Sequence, residues 1–217
     1  MVELLTKEEL NFANRLLSLA LANSAQSFAR IANTEIKLQA AEIQLMPIDE
    51  SLIVVSATAN ESLNCLISQV IGDVPAHSYL IIKDEDAVKL GEMCLPESMK
   101  ENQEMQLALL AEIANILTAS VVTQLSNFFK VKILGFVPKL EKVNKKEIKT
   151  LIDKEISKEN VSFFLKTNFI TSKQIIQPDF IWTFGSIFID MIKKVSQSEE
   201  NSVFLNKQIA LVSQHVV

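Results

Sequence analysis

Val122-Thr123-Gln124-Leu125-Ser126-Asn127-Phe128-Phe129-Lys130-Val131-Lys132-Ile133 reads as the end of a long amphipathic helix running into a strand. An earlier passage, Ser27-Phe28-Ala29-Arg30-Ile31-Ala32-Asn33-Thr34-Glu35-Ile36-Lys37-Leu38, reads the same way. The identity between them is weak, but each sits in one order of elements: long helix, strand, further strands, short helix. The helix of the later passage is predicted to open at Ser98 with Glu101, a capping box, and to run through Leu107, Leu110, Ile113, Leu117, Val121 and Leu125 to about Phe128. That of the earlier passage opens at Thr6 with Glu9 and runs to about Ile31. Strand-like runs at 35–46, 51–58, 63–71 and 78–83 are separated by Pro47, Asn60-Glu61 and Gly72-Asp73-Val74-Pro75, and Asp84-Glu85-Asp86 starts a short helix to about Leu95. After the later passage come a strand at 131–138, strands at 160–171 and 174–184, and a helix at 185–197. The stretch 139–159 between them holds seven Lys and five acids and reads as a solvated helix or linker. The expectation is an α+β fold, a duplicated pseudo-twofold unit with long helices packed on an antiparallel or mixed sheet. Its halves are 1–96 and 97–199 within one domain of 1–217, and 200–217 is a C-terminal extension without counterpart. The plain alternative is a single α+β domain whose halves are alike by accident.

Composition narrows the function. With 217 residues, 48% of them hydrophobic, and a mean hydropathy of +0.23, the chain has an aliphatic, well-filled core and is not intrinsically disordered. Its longest charge-free stretch, 113–129, carries seven polar residues, whereas a bilayer span needs ~20 predominantly apolar ones, so no membrane insertion is expected. A net charge of −5 gives no electrostatic reason to bind nucleic acid. The opening Met1-Val-Glu-Leu-Leu-Thr-Lys-Glu-Glu places acids where a signal peptide needs bases, and a cytoplasmic location is expected. Cys65 and Cys94 read as reduced core thiols, and neither His77, in a Pro-Ala-His-Ser turn, nor His215 lies in a cluster of metal ligands. The four glycines cannot build a phosphate loop or dinucleotide fingerprint, and no nucleophile elbow is present.

What remains is the polar content of the second long helix. Glu112 and Asn115 are spaced i, i+3 and share a face, with Ala108, Ala111, Thr118, Ala119 and Val122 around them. Two polar groups rimmed by small side chains allow another protein's surface to approach closely. The alternative is a solvent-facing acid beside an amide that caps a neighbouring element.

The passage Glu112-Ile-Ala-Asn115-Ile-Leu-Thr-Ala-Ser, followed by Lys132-Ile-Leu-Gly-Phe-Val-Pro138, resembles the CheC/CheX/FliY family of chemotaxis phosphatases. The family's signature is Asp or Ser, three residues, Glu, two residues, Asn, twenty-two residues, Pro. Glu112, Asn115 and Pro138 stand at those spacings, and Ala108 departs from the pattern at the Asp/Ser position. Glu-x-x-Asn occurs four times, at Glu8/Asn11, Glu61/Asn64, Glu112/Asn115 and Glu141/Asn144, against about one expected by composition. Only Asn115 has Pro twenty-three positions on; the others lead to Thr34, Ala87 and Thr167. Ser78-Tyr-Leu-Ile-Ile-Lys-Asp-Glu-Asp-Ala-Val-Lys-Leu resembles the strand and helix that close the family's first half.

The resemblance implies a pseudo-twofold α+β fold with one site, because Arg15 and Ser18 stand where Glu and Asn would be in the first half. It implies hydrolysis of the aspartyl-phosphate of a CheY-like response regulator. Asn115 would orient the water, Glu112 would pair with the regulator's active-site Lys, and Pro138 would shape a strand exit. No cofactor of its own is implied, since the regulator brings Mg²⁺. Other chemotaxis proteins are alternative partners, and a homodimer is compatible with exposed edge strands and with the family's habit. The competing reading is a non-catalytic module that binds a response regulator or another chemotaxis or flagellar-switch protein.

Overall fold

The computed structural model describes residues 4–32, 37–46, 55, 57–155, 161–170 and 175–214. The first half contains α1 (Lys7–Ala32), β1 (Lys37–Met46), β2 (Leu63–Gly72), β3 (Ala76–Lys83) and α2 (Asp84–Cys94). The capping box forms as expected: Thr6 N–H donates to Glu9 Oε2 at 2.7 Å and Glu9 N–H to Thr6 Oγ1 at 3.3 Å. β3 begins at Ala76, which puts His77 in the strand rather than in the turn. Most of the strand expected at 51–58 lies outside the described residues, as does His215.

The second half contains α3 (Gln103–Phe129), β4 (Ile133–Gly135), β5 (Lys139–Val143), α4 (Lys145–Glu155), β6 (Val161–Ile170), β7 (Ile175–Ile176), β8 (Asp179–Phe184) and α5 (Ser186–Ser196), with α6 (Glu199–Gln214) after it. Two expectations need correction. The cap of α3 is Asn102, whose side chain accepts from Met105 N–H at 3.2 Å, and not Ser98 with Glu101. Pro96 starts a 3₁₀ turn over Glu97–Met99, so this stretch reverses the chain before the helix can begin. The charged stretch is a helix over 145–155, one of its two expected forms, and not a linker, but 139–143 is a strand paired with β2, and α4 covers one face of the sheet.

The sheet runs β1-β6-β8-β3-β2-β4, with β5 on β2 beside β4 and β7 on β6, and every described pairing is antiparallel. Exchanging β1 with β4 and β5, β2 with β6, and β3 with β8 maps this order onto itself, so a pseudo-twofold axis passes through the central β3·β8 pair. Each half therefore gives its outer strand to the other half's inner strand: β1 pairs with β6, and β4 and β5 pair with β2. The halves are duplicated yet interlocked.

Side chains alternate across the sheet with the strand's period of two. Leu80, Ile82, Phe180, Trp182 and Phe184 face the layer of α1, α3, α5 and α6, while Tyr79, Ile81 and Ile181 face α4. On α4 the pair Ile148 and Ile152, four apart, is fully buried against that second face, worth about 1.5–3 kcal/mol per side chain. α3 is, by length and composition, apolar enough to cross a membrane. Its apolarity has another cause, since Leu110, Ile113, Leu117 and Val121 are buried in the core between the sheet and α1. The extension forms α6, anchored by fully buried Leu205 and by a hydrogen bond from Arg15 of α1 to Asn206.

Candidate functional site

Glu112 and Asn115 lie on the outer face of α3, one turn apart, both exposed, with exposed Ala108 and Ala119 on either side. Among the described residues neither side chain has a hydrogen-bond or ion-pair partner, so both are available to an incoming surface. The helix beneath them is fixed by its buried aliphatic face, which leaves little freedom at the Cα positions. Thr118 and Val122 do not belong to the exposed rim, contrary to the sequence expectation: both are buried, and Thr118 turns toward the sheet, 2.9 Å from the Ser78 hydroxyl. A side chain three residues on is roughly 60° round the helix, enough to pass from rim to interface.

Asn115 stands at one end of a groove of about 310 Å³ that follows α3 to Asn127 and is walled on its far side by Ile133, Leu134 and Phe136. Three features of the chain build this wall. Lys130 ends α3 in the left-handed conformation, at φ 58°, its N–H donating to Ser126 O. At the turn after β2, Gly72 has φ 112°, and a Cβ there would stand 2.2 Å from Lys132 O, so only glycine fits. Asp73 then bonds Lys132 on both sides, N–H to O at 2.9 Å and Oδ2 from N–H at 2.7 Å, which clamps β4 onto β2.

Pro138 is buried and lines no part of the groove. Gly135 pairs with Val70 and Lys139 with Ile67, so residues 136–138 oppose only Gln69 and Ser68, an irregularity of the bulge kind. Proline, lacking an N–H, suits the position where the ladder is interrupted. The bulge turns Phe136 and Val137 outward, and with Leu134 they form an apolar lip, 49%, 84% and 63% exposed, beside the groove. The lip was missed in the sequence, although Phe136-Val137 ahead of a proline was a visible apolar pair.

The other Glu-x-x-Asn pairs have different surroundings. Glu61 accepts from Thr58 N–H, while Asn64 is buried and donates to Asp84. Asn144 caps α4, accepting from Lys146 and Glu147 N–H. Glu8 and Asn11 are exposed in the first turns of α1. Arg15 and Ser18 are half-buried, and Arg15 is tied to α6. Burial pushes the Cys65 thiol up to about 12, with a contribution from Glu141, and Cys94 up to about 11, which makes both poor nucleophiles. Among the described residues no three His, Cys, Asp or Glu side chains come together.

Residues 105–141 match the CheC-like family, a segment that spans α3, β4 and the start of β5 and includes Glu112, Asn115 and Pro138. Over the whole chain the α+β fold that the resemblance implied is shared with solved structures of chemotaxis and flagellar-switch proteins. It is similar to FliY of Thermotoga maritima, with a TM-score of 0.66 at 17% identity, covering 96% of this chain and 100% of that one. It is similar also to a chain of the FliG–FliM complex from H. pylori, with a TM-score of 0.60 at 13% identity over 87% and 98% of the two chains. The chemotaxis protein CheX from Desulfovibrio desulfuricans gives 0.52 at 8% identity over 80% and 99%. No curated protein matches the chain by sequence.

Proposed function

We propose that the protein works in chemotaxis or at the flagellar switch and accelerates hydrolysis of the aspartyl-phosphate of a CheY-like response regulator. The observation that carries this is an exposed, uncommitted carboxylate and amide one turn apart on a rigidly packed helix, within the segment that matches the CheC-like family. An acyl phosphate is already activated, so the remaining need is a water held in line with phosphorus. The amide of Asn115 suits this, its oxygen accepting from the water while its NH₂ donates to a phosphoryl oxygen. The water oxygen bonds to phosphorus, the bond to the regulator's aspartyl oxygen breaks, and inorganic phosphate and the free carboxylate leave. Glu112 pairs with the regulator's active-site Lys and sets the register of docking. The regulator supplies the Mg²⁺ that neutralises the phosphoryl charge. The regulator's surface around its phosphorylated aspartate then crosses the groove, where Leu134, Phe136 and Val137 offer apolar contact.

The likeness to the FliM middle domain from H. pylori and to a chain of a FliG–FliM complex favours a second reading, a docking module without turnover. Ala108, exposed where the family's signature has Asp or Ser, is consistent with an altered partner surface. The two readings separate when a phosphorylated CheY-like regulator from the same organism is mixed with a small amount of the protein and its decay is followed. Decay of many regulator molecules per chain is expected. Protection of the phosphate in proportion to added protein, without turnover, would establish the docking module instead.

A further inference from the structure

The interface between α3 and the sheet is aliphatic except at one point. Among the buried residues of α3, Leu109, Leu110, Ile113, Leu117, Val121 and Leu125 make non-directional contacts, and Thr118 alone brings a hydroxyl. Below it, Ser68 and Ser78 are directly opposed across the β2–β3 hairpin, 0% and 1% exposed. Thr118 Oγ1 lies 2.9 Å from Ser78 Oγ and 3.5 Å from Ser68 Oγ. The Thr118 methyl points toward the strand that walls the groove: a Cβ placed on Gly135 would stand 3.5 Å from it.

An aliphatic ridge tolerates small slides and rotations, because apolar burial depends on area and not on direction. Hydroxyls do not share this tolerance. Sliding α3 by a turn, or rolling it, would take the Thr118 hydroxyl away from both serines at once, and a buried polar group that loses its partner carries a penalty that a merely shifted methyl does not. A single buried polar contact in an otherwise apolar seam is a known way to fix register.

We propose that Thr118 is a positioning residue for Asn115. Its hydroxyl, held by Ser78 and Ser68, sets the rotation and axial register of α3 on the sheet, and its methyl holds β4 at a fixed distance from the helix. Asn115, one turn earlier, is thereby presented at a defined depth at the end of the groove. The inference rests on the phosphatase reading for its kinetic consequence, but its geometric content is independent of it.

Thr118→Val keeps the shape and removes the hydroxyl, Thr118→Ser keeps the hydroxyl, and Ser78→Ala removes the partner from the sheet side. With a phosphorylated regulator, Thr118→Val and Ser78→Ala are expected to lower kcat about tenfold with KM changed less than about twofold, and Thr118→Ser is expected to recover most of the loss. The side-chain NH₂ resonance of Asn115, assigned by its disappearance in Asn115→Ala, is expected to shift in Thr118→Val and to return in Thr118→Ser. Thr118→Val with wild-type kcat and an unmoved Asn115 resonance would overturn the proposal, as would a loss that Thr118→Ser does not recover. If the wild-type protein shows no turnover, the phosphatase reading fails, and the Asn115 resonance alone then decides the positioning role by the same criterion.

Discussion

α1 and α3 are the same element in two halves of one duplicated fold, and they have been put to opposite uses. α3 leaves its outer face open, with Glu112 and Asn115 exposed above a groove. On α1, Arg15 and Ser18 stand where the resemblance would put Glu and Asn, half-buried, and Arg15 is latched to Asn206 on α6, a helix without a counterpart among the described residues of the first half. Both helices keep their inner faces: Leu16, Leu17 and Leu21 on α1 are as buried as Ile113, Leu117 and Val121 on α3. Packing and chemistry therefore separate by face. The inner face is held by the core that both halves build, while the outer face is free to carry a site or to seat another helix.

The largest expected effect is on α3. Asn115→Ala lowers turnover of a phosphorylated regulator by ~10²–10³, as for other lost orienting groups, whereas Ser18→Ala leaves it unchanged; equal losses would erase the distinction between the helices. Gly72→Ala is expected to destabilise the fold by about 1–3 kcal/mol in urea unfolding, because φ 112° and the contact with Lys132 O both resist a Cβ. A neutral result there would mean that β4 is not clamped at this turn. Glu112→Gln removes the charge that meets the regulator's lysine and is expected to raise KM about tenfold with a smaller fall in kcat.

Arg15→Ala releases the latch on α6 and is expected to cost about 0.5–1.5 kcal/mol of stability with unchanged turnover. The smallest effect concerns Asp84, at the start of α2. Burial alone would raise its pKa, but hydrogen bonds from Lys142, Ser62 and Asn64, with the charge of Lys142, outweigh this and hold the carboxyl below 3.8. A depressed folded pKa stabilises the protein above the ordinary carboxylate range, and that stability is lost as pH falls from 3.8 through the folded value. Both side chains are about half exposed, so Asp84→Asn is expected to flatten the acid limb by less than about 1 kcal/mol. Among the described residues no such bridge opens α5, which begins at Ser186 after Gly185.

Much of this was legible in the sequence because it rests on local rules. The Thr6/Glu9 box, the acids in the first turn of α2 and the apolar period of α3 placed three helices within a few residues. The Glu112/Asn115 pair was visible because helical spacing puts the two on one face. What escaped depends on distant partners. β5 looked like linker because its Lys and Glu side chains flank only one buried neighbour, β2. α4 looked solvated because its charges outnumber Ile148 and Ile152, although that i, i+4 pair was the available sign of a covering helix. The Ser68–Ser78–Thr118 cluster needs strand register, yet Ser68 and Ser78 are equidistant from Asp73, as a tight hairpin requires. The groove exists only once β4 lies beside α3, and no local pattern announces it.

The most direct test of the account is the amount of inorganic phosphate released per chain when a phosphorylated CheY-like regulator is in large excess, measured side by side for the wild-type protein and Asn115→Ala with equal thermal stability confirmed. Many turnovers are expected for the wild type, and decay at the regulator's own rate for Asn115→Ala. Equal release by the two proteins, whether fast or absent, would contradict it.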